Sequence, residues 1–444
     1  MARRKMLWGV ALAALVLVVA AAAFVLNGYR RTSRPPAGRG KVSQMLLEFT
    51  DGPKGIDAIR VPEGFEVSLA AGSELVTYPM FAVLDDRGRL FLCESGGMNV
   101  SSDQELGNAL SMRIRMLEDL NNDGVFDRST VFAERITMTM GAQWYRGSLY
   151  VAAPPDIVRY TDTNNDGVSD RREVILTGWP LKANATTLHG PYLGPDGWMY
   201  VTYSPSPYKV QTKEGTVLQG PGGRVFRFLP DGTKLEWFVG GGFDNPVEVA
   251  FTPASETIGT MTYYSQPMNG VRDALLHYVD GAVYPKWTAM SDNKMYKRTG
   301  DLMPAVTKFA RVAPAGLHYY RGEHLGPGFK GNLFSAHFNP HRVLRHVLHR
   351  EEGTFRTDDS DFLTSEDIDF HPTDVLEDAD GSLLVVDTGG WFLRGCPVSR
   401  ISKPQFEGAV YRVRRKNAPR VEDPWGAKLS LAKAAPDALA RLLE

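Results

Sequence analysis

Cysteine is almost missing from this chain. Only Cys93 and Cys396 occur in 444 residues, too few for a disulfide framework. Neither belongs to a Cys-x-x-Cys-His run, so covalent haem attachment is excluded. A charge excess of either sign is missing as well: lysine plus arginine number 50, aspartate plus glutamate 51. With no long basic run, that balance speaks against a nucleic-acid partner. Helical periodicity is nearly absent before Asp423. Glycine (44) and proline (28) are plentiful instead, set between short β-rich runs, which favours an all-β body.

There is one long apolar run. Residues 7–26 hold 20 residues without a charge, enough to cross a bilayer as a helix. Arg3, Arg4 and Lys5 precede it and keep the N-terminus cytoplasmic. The expectation is a signal anchor over residues 1–27 with the body on the periplasmic, extracytoplasmic side. The alternative is a signal peptide cleaved in the Ala-rich segment 20–23. Residues 28–54, with Arg30, Arg31, Pro35 and Pro36, read as a linker. In an exported protein Cys93 and Cys396 can form one bridge; two buried free thiols are the other reading.

A strand pattern recurs: apolar, Arg, then apolar or aromatic. It appears at Ile114-Arg115-Met116, Val158-Arg159-Tyr160, Phe226-Arg227-Phe228, Leu344-Arg345-His346 and Tyr411-Arg412-Val413, with a weaker copy at Leu276-His277-Tyr278. Alternating strands around a Gly turn precede it, as in Phe81–Cys93, Leu193–Thr202 and Val375–Asp387. About six units of four strands fit residues 55–416, which predicts a six-bladed β-propeller. The fourth unit is the least regular, with an insertion over Val271–Asp301. Residues 417–444 read as the start of a helical, HEAT-like region.

Two nine-residue loops match: Asp119-Leu-Asn121-Asn-Asp123-Gly-Val-Phe-Asp127 and Asp162-Thr-Asn164-Asn-Asp166-Gly-Val-Ser-Asp170. Oxygen side chains at positions 1, 3, 5 and 9 with Gly at 6 suit calcium. Strand-like flanks and the lack of a glutamate at position 12 exclude an EF-hand. The alternative is an Asx-rich turn that needs no metal. In either case the loops join outer strands, away from the channel.

In a propeller the segments entering the innermost strands converge on the channel mouth. Here they bring His189, Asn245, Gly316, His371 and Asp374 together. A histidine there can act as a general base, Asn245 can bond a ligand, and Asp374 can orient a histidine or bind a hydroxyl. Strand-end capping is the bland alternative for each. His337, Asn339 and His341 form a second cluster with no third metal ligand; His346 and His349 fall on opposite strand faces and read as surface residues. Trp391 and Arg394, in the run to Cys396, can stack on a sugar or quinone plane; a packed loop that closes the ring is the alternative.

The runs Ile59-Arg-Val-Pro-Glu-Gly-Phe, the Asp-x-Asn-Asn-Asp-Gly loops, Gly194-Pro-Asp-Gly-Trp, Pro372-Thr-Asp-Val and Asp387-Thr-Gly-Gly-Trp resemble the membrane-bound dehydrogenases of planctomycetes and verrucomicrobia. That family is similar to the soluble glucose/sorbosone dehydrogenases, propellers that use pyrroloquinoline quinone. The resemblance implies a sugar or alcohol dehydrogenase, with a cytochrome as electron acceptor. It implies that His189 takes the substrate proton, and that Asn245 and the His371–Asp374 stretch lie at the cofactor. Asp244 stands where the family has an arginine, and two further arginines are missing around His371. Two other readings stay open: a non-catalytic propeller binding polysaccharide or a partner protein, and a calcium-dependent hydrolase or lactonase.

Overall fold

The computed structural model describes residues 52–100, 102–204, 206–242, 244–262, 273–284, 303–390 and 405–441. The expected anchor and most of the linker lie outside them, as do Trp391, Arg394 and Cys396. Among the described residues no helix is long and apolar enough to cross a membrane.

Six antiparallel sheets form the six expected blades. Blade 1 runs Pro79–Leu84, Leu90–Glu94, Met112–Glu118 and Arg128–Ile136. Blade 2 runs Ala142–Tyr145, Ser148–Ala153, Asp156–Thr161 and Arg171–Thr177. Blade 3 runs Leu188–Leu193, Met199–Tyr203, Arg224–Phe228 and Glu236–Val239. Blade 4 runs Asn245–Phe251, Thr257–Thr262, Asp273–Tyr278 and Ala305–Phe309. Blade 5 runs Pro314–Tyr319, Leu333–His337, Arg342–Glu351 and Thr354–Ser365. Blade 6 takes Pro372–Glu377, Leu383–Asp387 and Ala409–Arg415, and completes itself with Phe65–Ala71 from the other end of the propeller sequence. Ile59–Arg60 adds to the outer edge of blade 5.

All six copies of the Arg pattern are third strands. The position suits arginine: its aliphatic stem covers sheet while its head reaches an acid on a neighbouring strand or in a hairpin of the same blade. Arg115 meets Glu94, Arg227 meets Glu236, and Arg412 meets Asp378. The fourth unit is more regular than its sequence suggests, because the insertion expected over Val271–Asp301 contains the blade's third strand.

The core is not one mass. Buried apolar residues of the described chain fall into six clusters, one at each seam between adjacent blades. Phe91 and Phe132 of blade 1, for instance, pack edge to face, and Phe91 stacks on Trp144 of blade 2. Each blade buries both faces, so its inner strands are apolar nearly throughout. After blade 6, residues 417–429 cross as an irregular strap; only Leu431–Lys433 and Pro436–Arg441 are helical.

Candidate functional site

Every inner strand enters the channel wall at one end, here called the entry end, and leaves at the exit end. In blades 1, 4, 5 and 6 it begins near a proline and then bulges: pairing shifts after Pro79, Pro246, Pro314 and Pro372. A bulge re-aims side chains and frees backbone amides. Two residues after each proline stand Phe81, Glu248, Gly316 and Asp374. The amide after the bulge then serves the neighbouring blade. Leu317 N donates to Glu248 Oε2 at 2.9 Å, from blade 5 to blade 4. Ala82 N donates to Asp374 Oδ2 at 2.8 Å, from blade 1 to blade 6. Repeat symmetry thus gives both acids the same kind of seat.

The two acids flank Gly316 and hydrogen-bond to one another. A Cβ at Gly316 would lie 2.5 Å from Asp374 Cα and 2.7 Å from its Oδ1, so a side chain there would occupy the meeting place. Burial raises Asp374 to about 7, against the pull of the Ala82 and Val375 amides. Burial, then the charge of Asp374, raises Glu248 well above the ordinary carboxylate range. A pair in this state holds one proton between two carboxyls near neutrality. Tyr192, from blade 3, donates to Val247 O at 2.9 Å beside the pair. Glu248, Asp374 and Tyr192 line a channel cavity of about 920 Å³ that reaches the hairpins of the exit end.

His189 does not line that cavity. It is 1% exposed, its Nε2–H donates to Ala185 O at 2.8 Å, and its edge meets Phe81. Burial lowers its pKa to about 4, and Nδ1 is left as a buried acceptor with no hydrogen-bond partner. Asn245 Oδ1 and the Thr186, Thr187 and Thr388 hydroxyls are likewise buried without a partner at the entry ends. His371 Nδ1–H donates to Gly389 O, and the ring stacks on Phe338 at 4.5 Å. Of the five residues expected at one mouth, only Asp374 reaches the cavity; Gly316 shapes it from behind.

His346 also departs from its expected surface place. It is fully buried and belongs to a relay. Its Nδ1–H donates to Asp359 at 2.7 Å, and its Nε2 accepts from Ser335 Oγ at 2.7 Å. His337 Nε2–H then donates to the same hydroxyl at 2.9 Å. His341 turns away toward Phe370 O, so the His337–His341 pair does not converge.

The twin loops join third to fourth strands at the exit end. Their carboxylates hold backbone amides: Gly124 N donates to Asp119 and Gly167 N to Asp162; Val125 N donates to Asp123 and Val168 N to Asp166. Asn121 and Asn164 accept from the amides two residues on. Asp127 and Asp170 accept from Leu120 N and Thr163 N. Among the described residues no three His, Cys, Asp or Glu side chains converge as a metal-ligand group. Each loop also docks on the blade before it. Phe126 N donates to Ala70 O of blade 6, and Ser169 N to Phe132 O of blade 1, both at 2.8 Å and both from the eighth loop position. Cys93, whose pairing with Cys396 lies outside the described residues, is buried in the blade 1 wall, which raises its thiol to about 12.

Glu248 escaped notice in the sequence. Its signal was the shared Pro-x-acid spacing of Pro246-Val-Glu248 and Pro372-Thr-Asp374.

Residues 53–391 match the family described as a domain of unknown function, DUF7133. No curated protein matches. Among solved structures, the holo PQQ domain of pyranose dehydrogenase from Coprinopsis cinerea is 15% identical with a TM-score of 0.51, covering 80% of this chain and 97% of its own. The calcium structure of a Trichoderma reesei carbohydrate-active enzyme of family AA12 is 14% identical with a TM-score of 0.53, covering 81% and 97%. A glucose dehydrogenase is 12% identical with a TM-score of 0.51, covering 78% and 98%. At such identities the likeness is one of fold.

Proposed function

Since this chain belongs to the DUF7133 family, whose function is unknown, we propose from its own geometry that it is an oxidoreductase acting on a sugar or alcohol hydroxyl inside the channel. The observation that carries this reading is the Glu248–Asp374 pair on the cavity wall. Oxidising a hydroxyl to a carbonyl releases a proton from oxygen, and a nearby group must take it. A carboxyl pair holding one proton has an ionised member ready to accept, at a pKa near working pH. Tyr192 and Gln143 line the same wall and offer orienting hydrogen bonds. The shared fold with sugar-acting propellers supports the same class.

The relatives' quinone does not fit the described residues. A tricarboxylate asks for several arginines or lysines, and the six segments entering the inner strands carry only Lys182, already paired with Asp103, and Arg311. The cavity wall itself is an acid pair, and the rim cations are Lys330, already paired with Glu323, and Arg321, too few to answer three carboxylates. No step is therefore routed through that group. The proposal takes a soluble two-electron acceptor of the quinone class to receive the hydride from the hydroxyl-bearing carbon while the pair takes the oxygen's proton; a cytochrome can only follow it, one electron at a time. The charge-free run at residues 7–26 supports an anchored, extracytoplasmic protein.

The test is dye reduction by the purified full chain with a sugar and alcohol panel, with and without added pyrroloquinoline quinone and calcium. Turnover that falls at least about a hundredfold in Glu248→Gln and Asp374→Asn is expected. Turnover insensitive to both substitutions removes the pair from the chemistry. Sugar binding without any turnover leaves the non-catalytic polysaccharide-binding propeller.

A further inference from the structure

The exit mouth of the channel carries an aromatic side chain that no blade supplies. It is Trp425, on the strap of residues 417–429, and it lines both the channel cavity and a smaller cavity beneath the strap. The indole is held from three directions. Gly88, in the first hairpin of blade 1, lies flat beneath it: a Cβ there would stand 2.4 Å from Trp425 Nε1. Asp423 accepts from Ala427 N and Lys428 N, both at 2.9 Å, and fixes the turn that presents the ring. Arg420 donates to Asn122 O at 2.6 Å, tying the strap to the first of the twin loops. The residue remains half-buried and forms part of the cavity lining.

We propose that Trp425 is the platform of a sugar-binding subsite, and that substrate enters from the exit end. This rests on the sugar or alcohol reading given above. The cavity's charges are largely answered within the protein: Asp85 by Arg89, Asp378 by Arg412, Glu323 by Lys330. The acid pair deeper in repels an anion. A neutral ligand rich in hydroxyls matches what is left, with an aromatic plane for its C–H face and polar groups for its oxygens. The same cavity joins Trp425 to Glu248 and Asp374, so a sugar seated at the rim points one ring or chain end toward the pair.

The experiment is calorimetric titration of the full chain with D-glucose, maltose and cellobiose, repeated on Trp425→Ala and Trp425→Phe, with Tm recorded for each variant. At least one sugar should bind, with Kd about tenfold weaker in Trp425→Ala and within about threefold of the parent in Trp425→Phe. Indole emission should change on binding in the parent and lose that change in Trp425→Phe. Equal Kd in the parent and Trp425→Ala overturns the platform and leaves the channel reading standing. Binding through Trp425 with no turnover overturns the oxidoreductase reading and leaves the platform. No binding of any probe sugar to the folded parent overturns the platform.

Discussion

Gly316 matters for what it leaves out. Its missing side chain lets Glu248 and Asp374 meet in a site whose burial raises both above the ordinary carboxylate range. An acid with a higher pKa folded than unfolded binds its proton better in the folded state. Stability from Asp374 is therefore fully present below 3.8 and lost as pH rises through about 7. The Tm of the parent should fall from pH 5 to pH 8, and Asp374→Asn should flatten that fall; a calorimetric pH series reads the difference. Gly316→Ala should push the acids apart, removing the Glu248 hydrogen bond that lowers Asp374, and shift the window to higher pH in the same series. The Ser335–His346–Asp359 relay is a different case. Burial pushes Asp359 up, but the hydrogen bond and charge of His346 outweigh it and hold the carboxyl at about 2. Ser335→Ala leaves two buried imidazoles short of a partner, and should cost about 1–3 kcal/mol in denaturant unfolding.

Among the elements, the twin loops act as staples. Asp119 and Asp162 each fold a loop so that its eighth amide reaches the preceding blade. Asp119→Ala and Asp162→Ala should each lower stability by about 1 kcal/mol, equally in calcium and in chelator. A loss seen only with calcium would show that an ion, and not the amides, engages these carboxylates. Period and spacing made the loops legible in sequence, because a repeat writes its third and fourth strands alike in successive blades. The Arg pattern was legible for the same reason, and all six copies landed on third strands. The channel was less so. An acid in an inner strand looks like any half-exposed strand residue until the neighbouring blade's bulge supplies its amide. His346 looked exposed because alternation separates two faces without saying that a neighbouring sheet covers one of them. His189 was placed in the right blade and strand, yet its burial depends on Phe81 and Ala185, which only the ring brings near.

At the scale of the whole molecule, six separate cores share one ring, so stability depends on every seam being closed. The last seam is made by Phe65–Ala71, which pairs with Ala409–Arg415. Ile59–Arg60 and the Lys54–Asp367 and Lys54–Asp369 pairs secure the adjoining stretch on blade 5. Removing residues 53–71 should abolish the single cooperative thermal transition, as read by calorimetry, leaving a broad or early one. A sharp transition within about 5 °C of the parent would show that five complete blades and one open blade suffice.

That closing strand also sets an order of events. Phe65–Ala71 is synthesised first among the strands of its blade, and its partners follow more than three hundred residues later. Until then its edge has no ladder to join, and unpaired edges invite pairing with other chains. At about 5–20 residues per second, synthesis leaves it waiting for tens of seconds. A ring of this design thus carries its most exposed edge while it is being made, before the finished ring can protect it.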